Sequence, residues 1–141
     1  LTRGRQKGGS VMAEKELDFG MCGPPGDTVT WRGILEDDVL GAGDTTAFHL
    51  DLTRPPADGP LAAPGVTVLV LKIGPATVTV DAPGPILGID TGNALLAGET
   101  KRVTFHITNA PAGAAPAAYW LFAFIQWGAN PPCVSPLFPV P

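Results

Sequence analysis

The sequence is poor in the residues that most often carry chemistry. It has two cysteines and two histidines, two serines (Ser10 and Ser135), and only 16% charged residues. Cys22 and Cys133 cannot build a zinc site alone, and no C-x-x-C pair occurs. His49 and His106 sit on the polar sides of alternating segments with no third ligand at a useful spacing, so both are expected to face solvent and neither completes a Cys-His nucleophile. Ser10 lies near the N-terminus, Ser135 stands between prolines, and G-x-S-x-G is absent. Gly41-Ala42-Gly43 lacks the third glycine of a dinucleotide loop, and Asp44 behind it would repel a phosphate. Glu36, Asp37, Asp38 and Asp44 share one turn, but their spacing fits no EF-hand and reads as a solvated loop. The expectation is a protein with no catalytic residues, no metal and no cofactor.

Long apolar runs are missing too. The longest, residues 117–125, falls well short of the ~20 residues of a membrane-spanning helix, and no apolar stretch follows the basic start as a secretory signal requires. No segment keeps a 3.6-residue period. A membrane is therefore not among the expected partners.

What is present is turn chemistry beside apolar strands. Gly 18 and Pro 16 make up about a quarter of the chain, while 45% of its 141 residues are hydrophobic. That length suits one domain with a real core, and so much apolar residue under so thin a polar coat suggests surface that belongs to a partner. Residues 1–11 carry Arg3, Arg5 and Lys7 among glycines and read as a flexible basic arm ahead of a domain spanning 12–141. Taking these three charges from the net charge of −4 leaves the body at −7. No basic stripe continues into that body, which argues against nucleic acid and leaves the arm as a solvated tail or a strap on an acidic neighbour.

Along the body, short segments of period two alternate with Gly/Pro turns. They cover residues 12–19, 27–36 with Val29 and Trp31 inward and Gly33 as a bulge, and 46–52 with Phe48, Leu50 and Leu52 inward. Residues 66–73 are apolar on both faces, and 76–81 reads as their hairpin partner. Residues 99–108 place Val103, Phe105 and Ile107 inward, 118–127 is strongly aromatic, and 134–140, with two prolines, is a final edge strand. Residues 53–65, with four prolines, form a long connection and a candidate binding loop. Residues 83–98 read as a loop with one helical turn at 93–97. Seven to nine such strands specify an all-β antiparallel sandwich.

The aromatic strand is the informative one. Its odd positions are Tyr119, Leu121, Ala123, Ile125 and Trp127; its even ones are Trp120, Phe122, Phe124 and Gln126. Successive side chains point to opposite faces, so one apolar set must leave the core. That set is either roofed by the chain's own loop 53–65 or arm, or docks on another subunit. Cys22 and Cys133 form either a disulfide across a long loop or two buried thiols.

Residues 99–140 resemble the last strands of immunoglobulin-like and fibronectin type III-like domains: V-T-F-H-I-T, a small-residue turn, then Y-x-L-x-A-x-I and a proline-bounded final strand. The resemblance puts Tyr119 at the tyrosine-corner position and turns Trp120, Phe122 and Phe124 outward; the antibody-type Cys…Trp…Cys spacing is missing. The body from Gly26-Asp27-Thr28 through Leu50-Asp51-Leu52-Thr53 to Trp127 is also similar to small immunoglobulin-like domains of phage virions, such as the N-terminal domain of baseplate upper proteins. That resemblance implies a non-enzymatic virion structural protein. It would be a capsid decoration protein or a tail or baseplate adaptor, held in an oligomeric assembly with major capsid or tail proteins through Arg3, Arg5, Lys7, Trp120, Phe122 and Phe124. The alternative is a secreted or surface-displayed binding module, which would be extracellular.

Overall fold

A computed structural model describes residues 6–7, 10–11, 14–23, 26–59, 61–62, 66–81, 94–127 and 131–140. Its strands are β1 (Gln6–Lys7), β2 (Ser10–Val11), β3 (Lys15–Met21), β4 (Thr30–Leu35), β5 (Thr45–Thr53), β6 (Leu61–Ala62), β7 (Val66–Ile73), β8 (Val78–Val80), β9 (Ala94–Leu95), β10 (Thr100–Asn109), β11 (Tyr119–Trp127), β12 (Cys133–Val134) and β13 (Phe138–Val140). No helix occurs among the described residues.

Nine of these strands build two antiparallel sheets. The first runs β3-β4-β5-β10-β8; in the second, β11 pairs with β7 on one side and with β12 and β13 on the other. The order β4-β5-β10-β8 is the A-B-E-D sheet of a constant-type immunoglobulin-like sandwich, β7-β11-β12/β13 is its C-F-G sheet, and β3 is an added edge strand. The remaining strands form two small ladders, β1 with β2 and β6 with β9.

Alternation fills the space between the sheets. Phe48, Leu50 and Leu52 of β5, Val103, Phe105 and Ile107 of β10, and Val29 and Trp31 face Val68 and Val70 of β7 and Tyr119, Leu121, Ala123, Ile125 and Trp127 of β11, all buried. Phe138 of β13 reaches across to stack on Phe48 and Phe19, with ring centroids 5.8 and 6.0 Å apart. Gly33 makes room for this cluster, because a Cβ there would lie 2.5 Å from the Phe48 ring. The bulge expected at Gly33 sits instead on the facing strand, where the β3 register shifts between Asp18 and Gly20 and Gly20 takes a φ of 82°.

Several other expectations are corrected. Residues 66–73 and 76–81 are not hairpin partners: β7 pairs with β11 and β8 with β10, so the turn between them carries the chain from one sheet to the other. Ala94 and Leu95 ladder with β6 where a helical turn was expected, since a two-residue backbone ladder satisfies this segment without helical periodicity. The final strand is split into β12 and β13, and Ser135 bridges the gap by accepting the Ala123 N–H on its hydroxyl at 2.7 Å. His49 is buried, held between Thr104 at 2.8 Å and Glu36 at 2.5 Å; neighbouring strands cover a polar-face position that alternation alone assigns to water. The side chain of His106 is 56% exposed, as expected.

The two cysteines are joined in a disulfide that links the turn after β3 to β12. The connection after β5 is not a free loop in its described part. Arg54 is buried and donates from Nε to the Gly59 carbonyl at 2.8 Å, from Nη1 to the Thr28 carbonyl at 2.8 Å, and from Nη2 to Asp27 at 3.3 Å. Leu61 further along joins the core. One guanidinium therefore pins the proline-rich connection to the turn before β4. Replacing Arg54 with Ala is expected to lower the unfolding free energy by about 2 kcal/mol, because it removes the hydrogen bonds of a buried guanidinium to Gly59, Thr28 and Asp27. Urea titration checks this, and a loss below about 1 kcal/mol would mean that the loop is not held by Arg54.

Candidate docking face

The outward face of the second sheet brings the aromatic residues together. The β11 register sets Trp120 opposite Ile73 on β7 and Pro139 on β13. Phe122 lies opposite Leu71, while Phe124 lies between Leu69 and Val134. Across three strands this makes rows of apolar side chains that end in Thr67 and Gln126. Trp120 is 45% exposed, Leu71 43%, Ile73 52%, Val134 53% and the adjoining Leu137 50%. Phe122, Phe124 and Leu69 are half-buried against one another and their neighbours.

Charge is nearly absent from this sheet. Among the strands β7, β11, β12 and β13, Lys72 is the only charged residue. By alternation it shares the inward side of Val68 and Val70, and at the strand end its ammonium donates to the carbonyls of Pro75 at 2.7 Å and Gly74 at 3.4 Å. The outward rows thus carry no ionic group.

The opposite face of the sandwich is its reverse. There Asp51, buried between its neighbours, accepts Arg102 through both oxygens at 2.8 and 3.0 Å, with Arg32 at 3.7 Å and Glu16 beyond it. Hydroxyl pairs Thr53–Thr100 and Thr45–Thr108 span the same strands, and His106 lies 3.4 Å from Asp81. The turn carboxylates are partly used in local bonds: Glu36 holds His49, and Asp37 accepts the Val39 N–H. Among the described residues no cluster of three or more His, Cys, Asp or Glu is placed to hold a metal.

The outward placement of Trp120, Phe122 and Phe124 follows the resemblance. The described part of connection 53–65 does not roof them, since its bonds go to residues 27–28 through Arg54 and to Gly98 and Glu99. Arg3 and Arg5 lie outside the described residues. Lys7 belongs to the short β1–β2 ladder, opposite Ser10. Sequence reasoning singled out strand 66–73 as apolar on both faces, and with it Leu69, Leu71 and Ile73, but missed Val134, Leu137 and Pro139 as members of this face. The β7–β11 register that aligns the two strands' outward rows lies in no local pattern.

Tyr119 opens β11 facing inward, as the tyrosine-corner resemblance implies, yet its buried hydroxyl makes no hydrogen bond. Burial, with the Asp37 and Asp38 charges as a smaller cause, pushes its pKa up to about 12.

No protein-family model matches the chain, and no curated protein matches it. Among solved structures it is similar to the crystal structure of the yeast GGA1 GAE domain, at 10% identity and a TM-score of 0.41, over 87% of this chain and 99% of that one. That likeness is too distant to carry an argument about function.

The raised pKa of Tyr119 means that ionisation favours the unfolded chain. Stability is full below about pH 10, where the unfolded phenol stays neutral, and falls as pH rises toward 12. Tyr119 is the only tyrosine, so phenolate absorbance reads it alone: the folded protein is expected to titrate near 12, and Tyr119→Phe to abolish the extra alkaline loss of stability. Titration near 10 in the folded protein would contradict this.

Proposed function

We propose that the chain is a non-enzymatic structural domain of a larger assembly, a capsid decoration protein on a viral shell, with the sandwich as a rigid body that docks through the outward rows of β7, β11, β12 and β13. The observation that supports this is the segregation of apolar and charged groups onto opposite faces. An isolated domain gains nothing from exposing Trp120, Leu71, Ile73, Val134 and Leu137 on one side, whereas a docked one removes them from water at about 25 cal/mol per Å². Arg3, Arg5 and Lys7 act as the strap to the shell, and the polar face of β3, β4, β5 and β10 stays in solvent. A tail or baseplate adaptor would use the same surfaces on a different part of the particle.

A surface-displayed or secreted binding module is the second reading, and the Cys22–Cys133 disulfide favours it, because such bonds persist mainly in oxidising compartments. Co-sedimentation with purified particles separates the two. As a decoration protein the chain moves with the particle, and removal of residues 1–10 abolishes this while leaving the melting curve unchanged. Phe122→Ser combined with Phe124→Ser is expected to reduce particle-bound protein at least about tenfold with the fold retained. A chain that never sediments with particles, and instead binds a defined glycan or peptide, sinks the decoration reading.

A further inference from the structure

We infer that the occupant of the apolar face is a second copy of this chain, packed sheet against sheet about a twofold axis. This rests on the reading of that face as a contact surface within an assembly and gives it to a second copy, which leaves attachment to the shell to the basic arm.

Area is the first argument. Trp120, Leu71, Ile73, Val134 and Leu137, each about half exposed, form one patch with the half-buried Phe122, Phe124 and Leu69 and the exposed Pro139, on the order of several hundred Å². A standard interface buries about 800 Å² per partner. The patch is contiguous across three strands, unlike scattered exposure on a monomer, and is of the size class that one protomer of a stable pair covers.

Chemistry selects the partner. The outward rows of β7, β11, β12 and β13 hold no charged group, since Lys72 is turned to its own turn carbonyls. The nearest ammonium, Lys15, is bonded to the Pro139 carbonyl at the β13 edge at 2.9 Å, so the rows themselves have no charge with which to address a charged foreign surface; a twofold axis offers them an identical apolar face, and homodimer interfaces are the more apolar class. Two twisted sheets pack well when aligned within about 30° and separated by about 10 Å.

The charges do not oppose this pairing. Face-to-face packing stacks four sheets, so the two ion-pair faces of β3, β4, β5 and β10 end about 30 Å apart, beyond the ~8 Å screening length at physiological salt.

The sheet edges argue for the face as the contact. β7 carries the inward-turned Lys72, β3 is broken by its bulge at Asp18/Gly20, β8 has three residues, β12 two, and β13 contains Pro139. These are the features that discourage strand addition.

The test uses the full chain in light scattering and sedimentation. A species of twice 14.5 kDa is expected, with Trp120→Glu and Leu71→Glu each folded but monomeric, association weakened about thirtyfold or more. A wild-type protein of single mass at high concentration overturns the inference, as do folded variants that stay dimeric. Quenching of tryptophan emission gives a readout that needs no charged variant. Trp31 and Trp127 are buried, so quenchable emission belongs to Trp120, as a Trp120→Phe control identifies. It is expected to rise on dilution, and quenching independent of concentration overturns the inference. Deletion of residues 1–11 should leave the dimer intact; if it turns a monomer into a dimer, the chain's own arm is the occupant and the inference fails. A monomer that still joins particles defeats the dimer and leaves the decoration reading, whereas a dimer that never joins them defeats the decoration reading and leaves the dimer.

Discussion

A strand in a two-layer sandwich can bury only one of its faces, and β11 is the strand on which the rest of this structure turns. Its inward set of Tyr119, Leu121, Ala123, Ile125 and Trp127 is buried along its whole length, against β5 and β10 of the other sheet. Each large side chain so buried contributes about 1.5–3 kcal/mol as an upper estimate. Committing that face to the core fixes the other. Trp120, Phe122 and Phe124 must leave the sandwich, and the β7 register carries Leu69, Leu71 and Ile73 out beside them. The apolar outward face is thus the geometric remainder of the core, with the choice of side chains on it made separately by the sequence.

That choice is what distinguishes the two sheets. On the first, outward positions are threonines and an ion-pair row in which Asp51 sits almost without solvent between Arg102 and Arg32. Exposed ion pairs contribute little each, but a buried carboxylate without its arginine is costly, so Arg102 is tied to its position. The guanidinium is in turn held charged beyond its ordinary range, first by its hydrogen bond to Asp51. The first sheet is finished as a solvent face; the second has no comparable polar finish.

Much of this was readable from local patterns. Strands β5, β7, β10 and β11 lie where alternation places them, because each has one face whose burial fixes its register. The patterns failed where the answer depended on distant partners. Alternation gives His49 to water, but Glu36 and Thr104, each from another segment, close over it. The four prolines of residues 53–65 imply an open loop, and no local pattern reveals that Arg54 reaches back to Asp27 and Thr28. Residues 66–81 read as a hairpin because the Gly74-Pro75 turn is compatible with one. Which sheet β8 joins is set by β10, more than twenty residues later. Trp120, Phe122 and Phe124 were identified, and the rows they form with β7, β12 and β13 were not, for the same reason.

The disulfide connects core and face. β12 is only two residues long and holds Val134 in the third row of the face through Phe124. A two-residue strand has little hydrogen bonding of its own to fix it. Three contacts do so: the bond from Cys133 to Cys22 beyond the other sheet, the Ser135 hydroxyl on the Ala123 N–H, and the Ser135 N–H on the Ala123 carbonyl at 2.9 Å. Trp127 closes the same end, its indole N–H 3.4 Å from the Cys22 sulfur. Ser135 and Cys22, which no catalytic motif could use, thus have a structural task. They fix a short edge segment in register with β11, so that Val134 stays beside Phe124.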